Sequence, residues 1–366
     1  MKKTLVALSV LAAAANVNAA EIYSTDASKV SLKGEVDAYV ATTDIEKTAA
    51  AATGPVRSET DAFVTVWGKV QLDAEHKVND SLTSFASFEI ESSTGFDSSS
   101  SDNNAKFDDM YIGVKGDSWG VAVGEVGDLA ESLDAIEKGD ITNEGQFFGS
   151  AGGHRAESSG NGVVFKAELT EGLVFVTDLN TESDTEVDNT YGVSLDWTIN
   201  EMFSVGGSIL SGEQAANTDY QVAGLSGSVT VGGFYFAATY AQFEGINSFG
   251  LFGDSFTDSS DNKTSFDYVD GNAYGVAAQY TIDKTRLYAT YDVLELDEFT
   301  AGGNANGDTT NIVLGVEYAL QDNVAIFAEY QTAETSNDFD GATASGLSTG
   351  AGLDADTALI GAYYTF

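Results

Sequence analysis

The chain has 366 residues, 39 of them glycine and one proline, no cysteine, and a formal charge of −41. The missing cysteines exclude a disulfide framework and a thiolate metal site. The charge argues against nucleic acid as a partner and favours cationic solutes or divalent ions.

Residues 1–19 read as a signal peptide: Lys2 and Lys3 open it, "TLVALSVLAAAA" is its apolar middle, and "VNA" ends on the small Ala19. Cleavage there leaves one domain, 20–366, two charges more negative than the full chain. No later apolar run reaches the ~18 residues of a membrane-spanning helix, so any membrane crossing must be made by strands.

From "VSLKGEVDAYV" onward the chain alternates. Val30, Leu32, Val36, Ala38 and Val40 share one face, and Ser31, Lys33, Glu35, Asp37 and Tyr39 the other. In "AFVTVWGKVQL", Val64, Val66, Val70 and Leu72 oppose Phe63, Thr65, Trp67, Lys69 and Gln71. The period of two recurs in about 16 segments, each near the ~9–11 residues of a tilted transmembrane strand. Short turns such as "GDS", "TEG", "NEM", "VGG", "DKT" and "QDN" alternate with longer polar connections. A soluble sandwich also alternates, but it rarely needs so many strands in one domain.

The stretch "GEVGDLAESLDAIEKGD", Gly124 to Asp140, breaks the rhythm with a helical pattern. Asp128 is placed to cap its N-terminus, with Glu131 completing an Asp-x-x-Glu box. Leu129, Leu133 and Ile136 form one stripe, with Glu131 and Asp134 opposite.

Catalytic signals are weak. "GDSWG" around Ser118 lies between two strands, and no histidine follows "GLSTG" around Ser348. His76 and His154 are lone loop histidines, and acids are too abundant for any pair to stand out. The chain therefore reads as no enzyme, with no cofactor. Calcium or magnesium at the acidic loops is compatible with the charge, although no calcium-loop motif occurs.

The mature start "AEIYSTDASKVSLKGEVDAYV", the segment "YIGVKGDSWGVAVGEVGD", and an end carrying Ile360, Ala362, Tyr364 and Phe366 at alternate positions resemble the Gram-negative general porins, most of all the marine vibrio-type branch. Leu359 departs from the polar residue usual at its position in that ending. The resemblance implies an all-β fold, a 16-stranded antiparallel transmembrane β-barrel, usually a homotrimer, whose inward-folded third loop, here about 125–160 with a short helix, constricts the pore. It also implies export through the Sec pathway to the outer membrane of a Gram-negative bacterium, contact with lipid and lipopolysaccharide, and assembly-machinery recognition of Tyr364 and Phe366. The solutes it implies are small and hydrophilic.

Matched strand by strand, basic wall positions of the family fall on Glu35, Thr65 and Asp108, and the arginine that opens the loop falls on Glu125. The constriction is therefore expected to carry Glu35, Asp37, Asp108, Glu125, Asp128, Glu131, Asp134 and Glu137, with Lys33, Lys69, Arg155 and Lys166 as counter-charges, and to prefer cations. On the fourth strand, one parity sends Asp108 inward with Met110 and Ile112; the other sends Asp109, Tyr111 and Lys115. Trp67, Trp119, Trp197, Tyr288, Tyr291, Tyr363 and Tyr364 read as membrane-interface girdles where they lie near strand ends, while Phe63, Trp67 and Tyr288 read alternatively as a lumen stripe that stacks on sugar rings. Two alternatives to a general porin stand beside it: a saccharide-specific porin, and an adhesion or envelope-integrity barrel with little conductance.

Overall fold

A computed structural model of the chain describes residues 20–48, 56–92, 105–127, 129–151, 161–246, 256–257, 263–264, 269–299, 304–335 and 352–366. Sixteen antiparallel strands form the wall. In chain order they are β1 (Ser28–Thr48), β2 (Phe63–Asn79), β3 (Leu82–Ser92), β4 (Ala105–Lys115), β5 (Trp119–Gly124), β6 (Gly162–Thr170), β7 (Leu173–Asn180) and β8 (Thr190–Thr198). They continue as β9 (Phe203–Ala215), β10 (Thr218–Val231), β11 (Phe234–Ile246), β12 (Val269–Ile282), β13 (Thr285–Phe299), β14 (Asn304–Gln321), β15 (Val324–Thr335) and β16 (Gly352–Thr365).

Each strand pairs with its sequence neighbour, and β16 returns to β1 from Glu35↔Thr365 to Thr48↔Gly352. Closure removes the open sheet edges that a bilayer does not tolerate. At the seam the Gly34 N–H donates to the Phe366 carbonyl at 2.8 Å, and the Phe366 N–H donates back at 2.9 Å. Below Glu35, where β16 has ended, the segment Ala20–Ser24 folds antiparallel onto β1, from Ala20↔Leu32 to Ser24↔Lys29.

The alternation sorts the wall. Val64, Leu225 and Ile360 point outward and are 70%, 68% and 64% exposed, a cost in water but the favourable arrangement against lipid tails. Ser31, Asp37, Gln71, Ser194, Thr290 and Asn311 point inward and are buried. Trp119, Trp197, Tyr291 and Tyr364 are among the outward aromatics. Tight turns join the strands at one rim. In the turn at Gly172 φ is +74°, and a Cβ would stand 2.5 Å from the Thr198 carbonyl oxygen, so the tight reversal there requires glycine.

The fourth strand resolves its two parities by using both. Ser87 pairs with Tyr111 but Glu89 with Asp108, which inserts one residue into β4. Asp109 takes a φ of 47° at this bulge. Phe107 and Met110 consequently both face lipid, at 64% and 49% exposed, while Asp109 is buried. A bulge is the device by which a strand re-aims its side chains without leaving the sheet.

Candidate functional site

The connection from β5 to β6 leaves the wall at Glu125 and folds into the lumen. Its first turn seats Val126, Leu129 and Ala130 against Phe85, Ala122, Val164 and Val176, on the inner faces of β3, β5, β6 and β7. A 3-10 turn follows at Leu133–Ile136. Leu133 and Ile136 press into Leu210, Tyr220, Val222 and Ala241 of β9, β10 and β11. The apolar stripe of the insert therefore meets the wall.

The helix is shorter and later than the spacing predicts. It begins after Ser132, which makes no side-chain cap bond. Asp128, the expected cap, lies outside the described residues, and the Glu131 N–H is instead taken by Asp134 Oδ2 at 3.1 Å. Tertiary contacts replace helical ones: Ser226 Oγ donates to the Ala135 carbonyl at 2.7 Å, Thr239 Oγ1 to the Ile136 carbonyl at 2.9 Å and the Tyr235 hydroxyl to the Lys138 carbonyl at 2.7 Å. With the carbonyls satisfied from the wall, nothing drives a short, costly helix to extend.

The tip of the loop is held from the opposite side of the barrel. The backbone N–H groups of Asn143, Glu144 and Gly145 converge on the Glu329 carboxylate of β15 at 2.6, 2.9 and 2.9 Å. The Tyr288 hydroxyl of β13 donates to the same carboxylate at 2.6 Å. Arg286 lies over the Tyr288 ring, 4.3 Å from its centroid. It donates to the Ile141 carbonyl at 2.7 Å, to the Asn143 side chain, and to Glu317 Oε2 of β14 at 2.8 Å.

Between tip and wall is a cavity of about 490 Å³. Five carboxylates border it: Glu35, Asp37 and Glu317 from the wall, Asp140 and Glu144 from the loop. Arg286 is the one basic residue on its lining, and it is already paired with Glu317. The Tyr39 hydroxyl reaches both Asp37 Oδ2 at 2.8 Å and Glu144 Oε1 at 2.9 Å.

A hydroxyl has one proton, so both contacts close at once when Glu144 itself is protonated. Burial first, then Asp37, Glu329 and Glu35, push the Glu144 carboxyl up to about 7, against the lowering pull of Tyr39. Burial also raises Asp140, with Glu329 adding to it.

The profile of the Gram-negative porins matches residues 7–338. The chain belongs to that family. Over 346 residues it is 23% identical to porin-like protein H of Photobacterium profundum, covering 92% of this chain and 96% of the relative. Among solved structures it superposes on OmpF of Salmonella typhi in complex with daunomycin (TM-score 0.66, 16% identity, 95% of this chain and all of that one). OmpT of Vibrio cholerae gives a TM-score of 0.63 at 20% identity, over 95% of this chain and all of that one, and has also been solved in a trimer form. An anion-selective porin from Comamonas acidovorans gives 0.64 at 16% identity, over 93% and 100%. At these identities the structural likeness shows the barrel alone. Family and fold together make the protein an outer-membrane channel for passive diffusion rather than an enzyme, and porins need no cofactor.

Within this porin the expected site residues spread over several levels. Glu35 and Asp37 border the constriction. Asp108 lies by the β4 bulge with Lys106, which reaches Glu91 and, at 3.5 Å, Asp108. Glu125 sits beside that group, its carboxyl raised by burial and then by Asp108. Asp134 is exposed on one side, while protein atoms of the loop and wall crowd its carboxyl. That confinement raises it, Asp178 and Asp196 add to the effect, and Lys166 opposes it. Glu137 accepts from Ser150 Oγ at 3.2 Å, and Glu131 is half-buried at the start of the helical turn.

The wall cations and the loop lysine stand against particular acids: Lys33 lies 3.8 Å from Asp73, Lys69 3.3 Å from Glu89, and Lys138 2.7 Å from Asp196. Lys166 is buried on β6 opposite Asp134. Arg155 lies outside the described residues. Tyr364 faces outward and its ring stacks on Phe366 at 5.9 Å.

Leu359, the apolar departure near the chain end, points inward and packs with Tyr39, Ala41 and Phe327. Sequence reasoning did not single out Arg286, Glu317, Glu329 or Glu144, and it met Asp140 only as the last acid of the inserted stretch. The signal available for the wall residues was an ionisable side chain on the lumen parity of β13, β14 and β15.

Proposed function

We propose that this porin is a general diffusion channel that prefers cations, with Glu35 and Asp37 on the wall and Asp140 and Glu144 on the loop as its selectivity residues. The carrying observation is the imbalance around the constriction: five carboxylates face one arginine whose charge is taken up by Glu317. Fixed charges around narrow water, backed by a low-dielectric wall, act on passing ions more strongly than on an open surface. Asp108, Glu125, Asp128, Glu131, Asp134 and Glu137 extend the negative field along the path. Lys33, Lys69, Arg155 and Lys166 neutralise part of it.

The same reading takes the protein as a homotrimer, supported by the trimer form of OmpT, exported under a signal peptide of residues 1–19. It assigns Tyr364 and Phe366 to recognition by the assembly machinery, and lets divalent ions bridge acidic loops to lipopolysaccharide. A saccharide slide has less support, because Tyr288 is buried and bonded to Glu329 rather than open to a sugar ring.

The reversal potential in a planar bilayer across a tenfold KCl gradient tests the preference. A potential of the cation-selective sign, reduced in Glu35→Gln and Asp140→Asn, is the expected result. Zero or anion-selective potential from a conducting channel overturns it.

A further inference from the structure

The outer face of β10–β13 changes character within one step of the register. One row across the four strands is Leu225, Tyr240, Tyr274 and Val293, and the next row toward the rim is Ala223, Gln242, Asn272 and Glu295. Beyond it stand Gln221, paired with Glu244, and then Asp270 and Asp297. This rim is opposite the tight turns, and a porin turns it to the outside. The exposed rings of Tyr240 and Tyr274, with centroids 5.3 Å apart, mark the lipid boundary as an aromatic girdle does. The polar rows above them therefore lie at the level of lipid headgroups.

Two bulges shape the wall at that level. β11 carries an extra residue between Phe243 and Ile246, where Gly245 has φ +71°, and β13 carries Asp297 as an extra residue opposite the Asp270–Gly271 step. Bulges of this kind re-aim side chains and end regular pairing. Here they accompany a cavity of about 360 Å³ bordered by Gln221, Gln242, Glu244, Asp270, Asn272 and Asp297. Its frame is braced from within. The Tyr240 hydroxyl donates to Asn272 Oδ1 at 2.9 Å, Asn272 Nδ2 donates to Asp297 Oδ2 at 3.3 Å, and the Gly245 N–H donates to Asp270 Oδ1 at 2.9 Å. The exposed amides of Gln221 and Gln242 make no hydrogen bond to any described residue.

An amide offers both donors and an acceptor, and a carboxylate accepts hydroxyls at two oxygens. A phosphate head would meet three carboxylates of its own sign. Among the described residues no three acidic or histidine side chains gather closely enough to hold a metal ion. A neutral head with many hydroxyls satisfies amides and carboxylates together. We propose that this face binds the saccharide head of an outer-leaflet glycolipid, its hydroxyls on Gln221, Gln242 and Asp297 and its acyl chains running down the wall over Leu225, Tyr240 and Tyr274. The proposal rests on the outer-membrane location and not on the cation preference, and it adds to the lipid contacts proposed above one that needs no divalent ion.

The test is native mass spectrometry of the folded protein, held in a sugar-free polyoxyethylene detergent and stripped of divalent ions with EDTA. Retained lipid is counted after addition of diglucosyl diacylglycerol, phosphatidylglycerol or phosphatidylethanolamine with the same acyl chains. The three heads are a neutral saccharide, an anion, and a phosphate carrying an ammonium. Half-saturation by the diglucosyl lipid is expected at a concentration about tenfold below that of either phospholipid, as one charge-assisted hydrogen bond gives. Gln242→Ala should reduce that preference several-fold, and Gln242→Ala combined with Asp297→Asn should erase it. Asp356→Asn, at an exposed carboxylate on the outer face of β16 outside the cavity, should leave it unchanged. All three positions are exposed on the outer surface, and gel mobility before and after heating shows that each variant is a folded barrel.

Equal retention of the three lipids by the unaltered protein overturns the proposal, as does a preference for either phospholipid or an unchanged preference in the double variant. An equal loss in Asp356→Asn also overturns it, because the effect would then belong to the charge of the whole outer rim. Phosphatidylglycerol that outcompetes the glycolipid once calcium is restored overturns it in favour of bridging by divalent ions.

Discussion

Tyr39 and Glu144 meet at 2.9 Å, and that contact ties the strand closing the barrel to the tip of the loop that narrows it. Tyr39 also holds Asp37, so wall and loop carboxylates share one hydroxyl and the ionisation of either is felt by the other.

Cation preference should therefore rise with pH through neutrality. Glu144 has its carboxyl pushed from an ordinary 4.5 up to about 7, so it is neutral below that value and adds a negative charge to the constriction above it. The sign for loop docking is opposite. A carboxyl raised in the folded state contributes stability that is complete below 4.5 and is lost as pH climbs past about 7. Reversal potentials between about pH 5.5 and 8.5, a window spanning the shifted group, should show selectivity increasing, and Glu144→Gln should flatten the curve. A flat curve in the unaltered protein would refute the assignment.

Removing the Glu329 carboxylate should release the loop tip. Three backbone N–H groups and the Tyr288 hydroxyl converge on it, and truncation leaves those donors unpaired. The expected local cost is about 2–4 kcal/mol, with the barrel intact. Single-channel recordings of Glu329→Ala should show larger and noisier conductance. Steps identical to the parent's would show that the loop is fixed by its apolar seat alone.

Arg286→Met should strengthen cation preference although it sits at the pore. The guanidinium neutralises Glu317 at 2.8 Å, so its loss exposes a further carboxylate to the lumen. A change of roughly twofold in the potassium-to-chloride permeability ratio is expected, read from the reversal potential. A lowered ratio would mean that the tip had moved and carried Asp140 and Glu144 away from the path.

Gly124→Ala tests the exit of the loop from the wall. The residue has φ +125°, and a Cβ would stand 2.2 Å from the Met110 carbonyl oxygen. That carbonyl accepts the Glu125 N–H at 2.9 Å, next to the bulge. Strain of this kind costs about 1–3 kcal/mol or more. Heat denaturation followed by gel mobility should show the variant unfolding at lower temperature, and an unchanged midpoint would argue that the backbone there can relax.

The strand alternation, outside the fourth strand, and the break in it at Gly124–Asp140 were legible from the residues alone, whereas the closed barrel of 16 strands and the inward course of that segment were expected from the resemblance to porins. The former are local properties: alternation in segments such as Val30–Val40, short polar turns, and one apolar stripe through Leu129, Leu133 and Ile136 each follow from neighbouring residues. How the loop is held and which acids meet were settled by tertiary packing. Arg286 and Glu329 lie 145 and 186 positions from the loop residues they touch, and no sequence spacing encodes a contact made across a lumen. The fourth strand shows the limit most clearly. Strict alternation forces a choice between Asp108 and Asp109, and the bulge opposite Gly124 puts Phe107 and Met110 both in lipid because pairing with β3 and β5, rather than the period of β4 alone, sets where each side chain points.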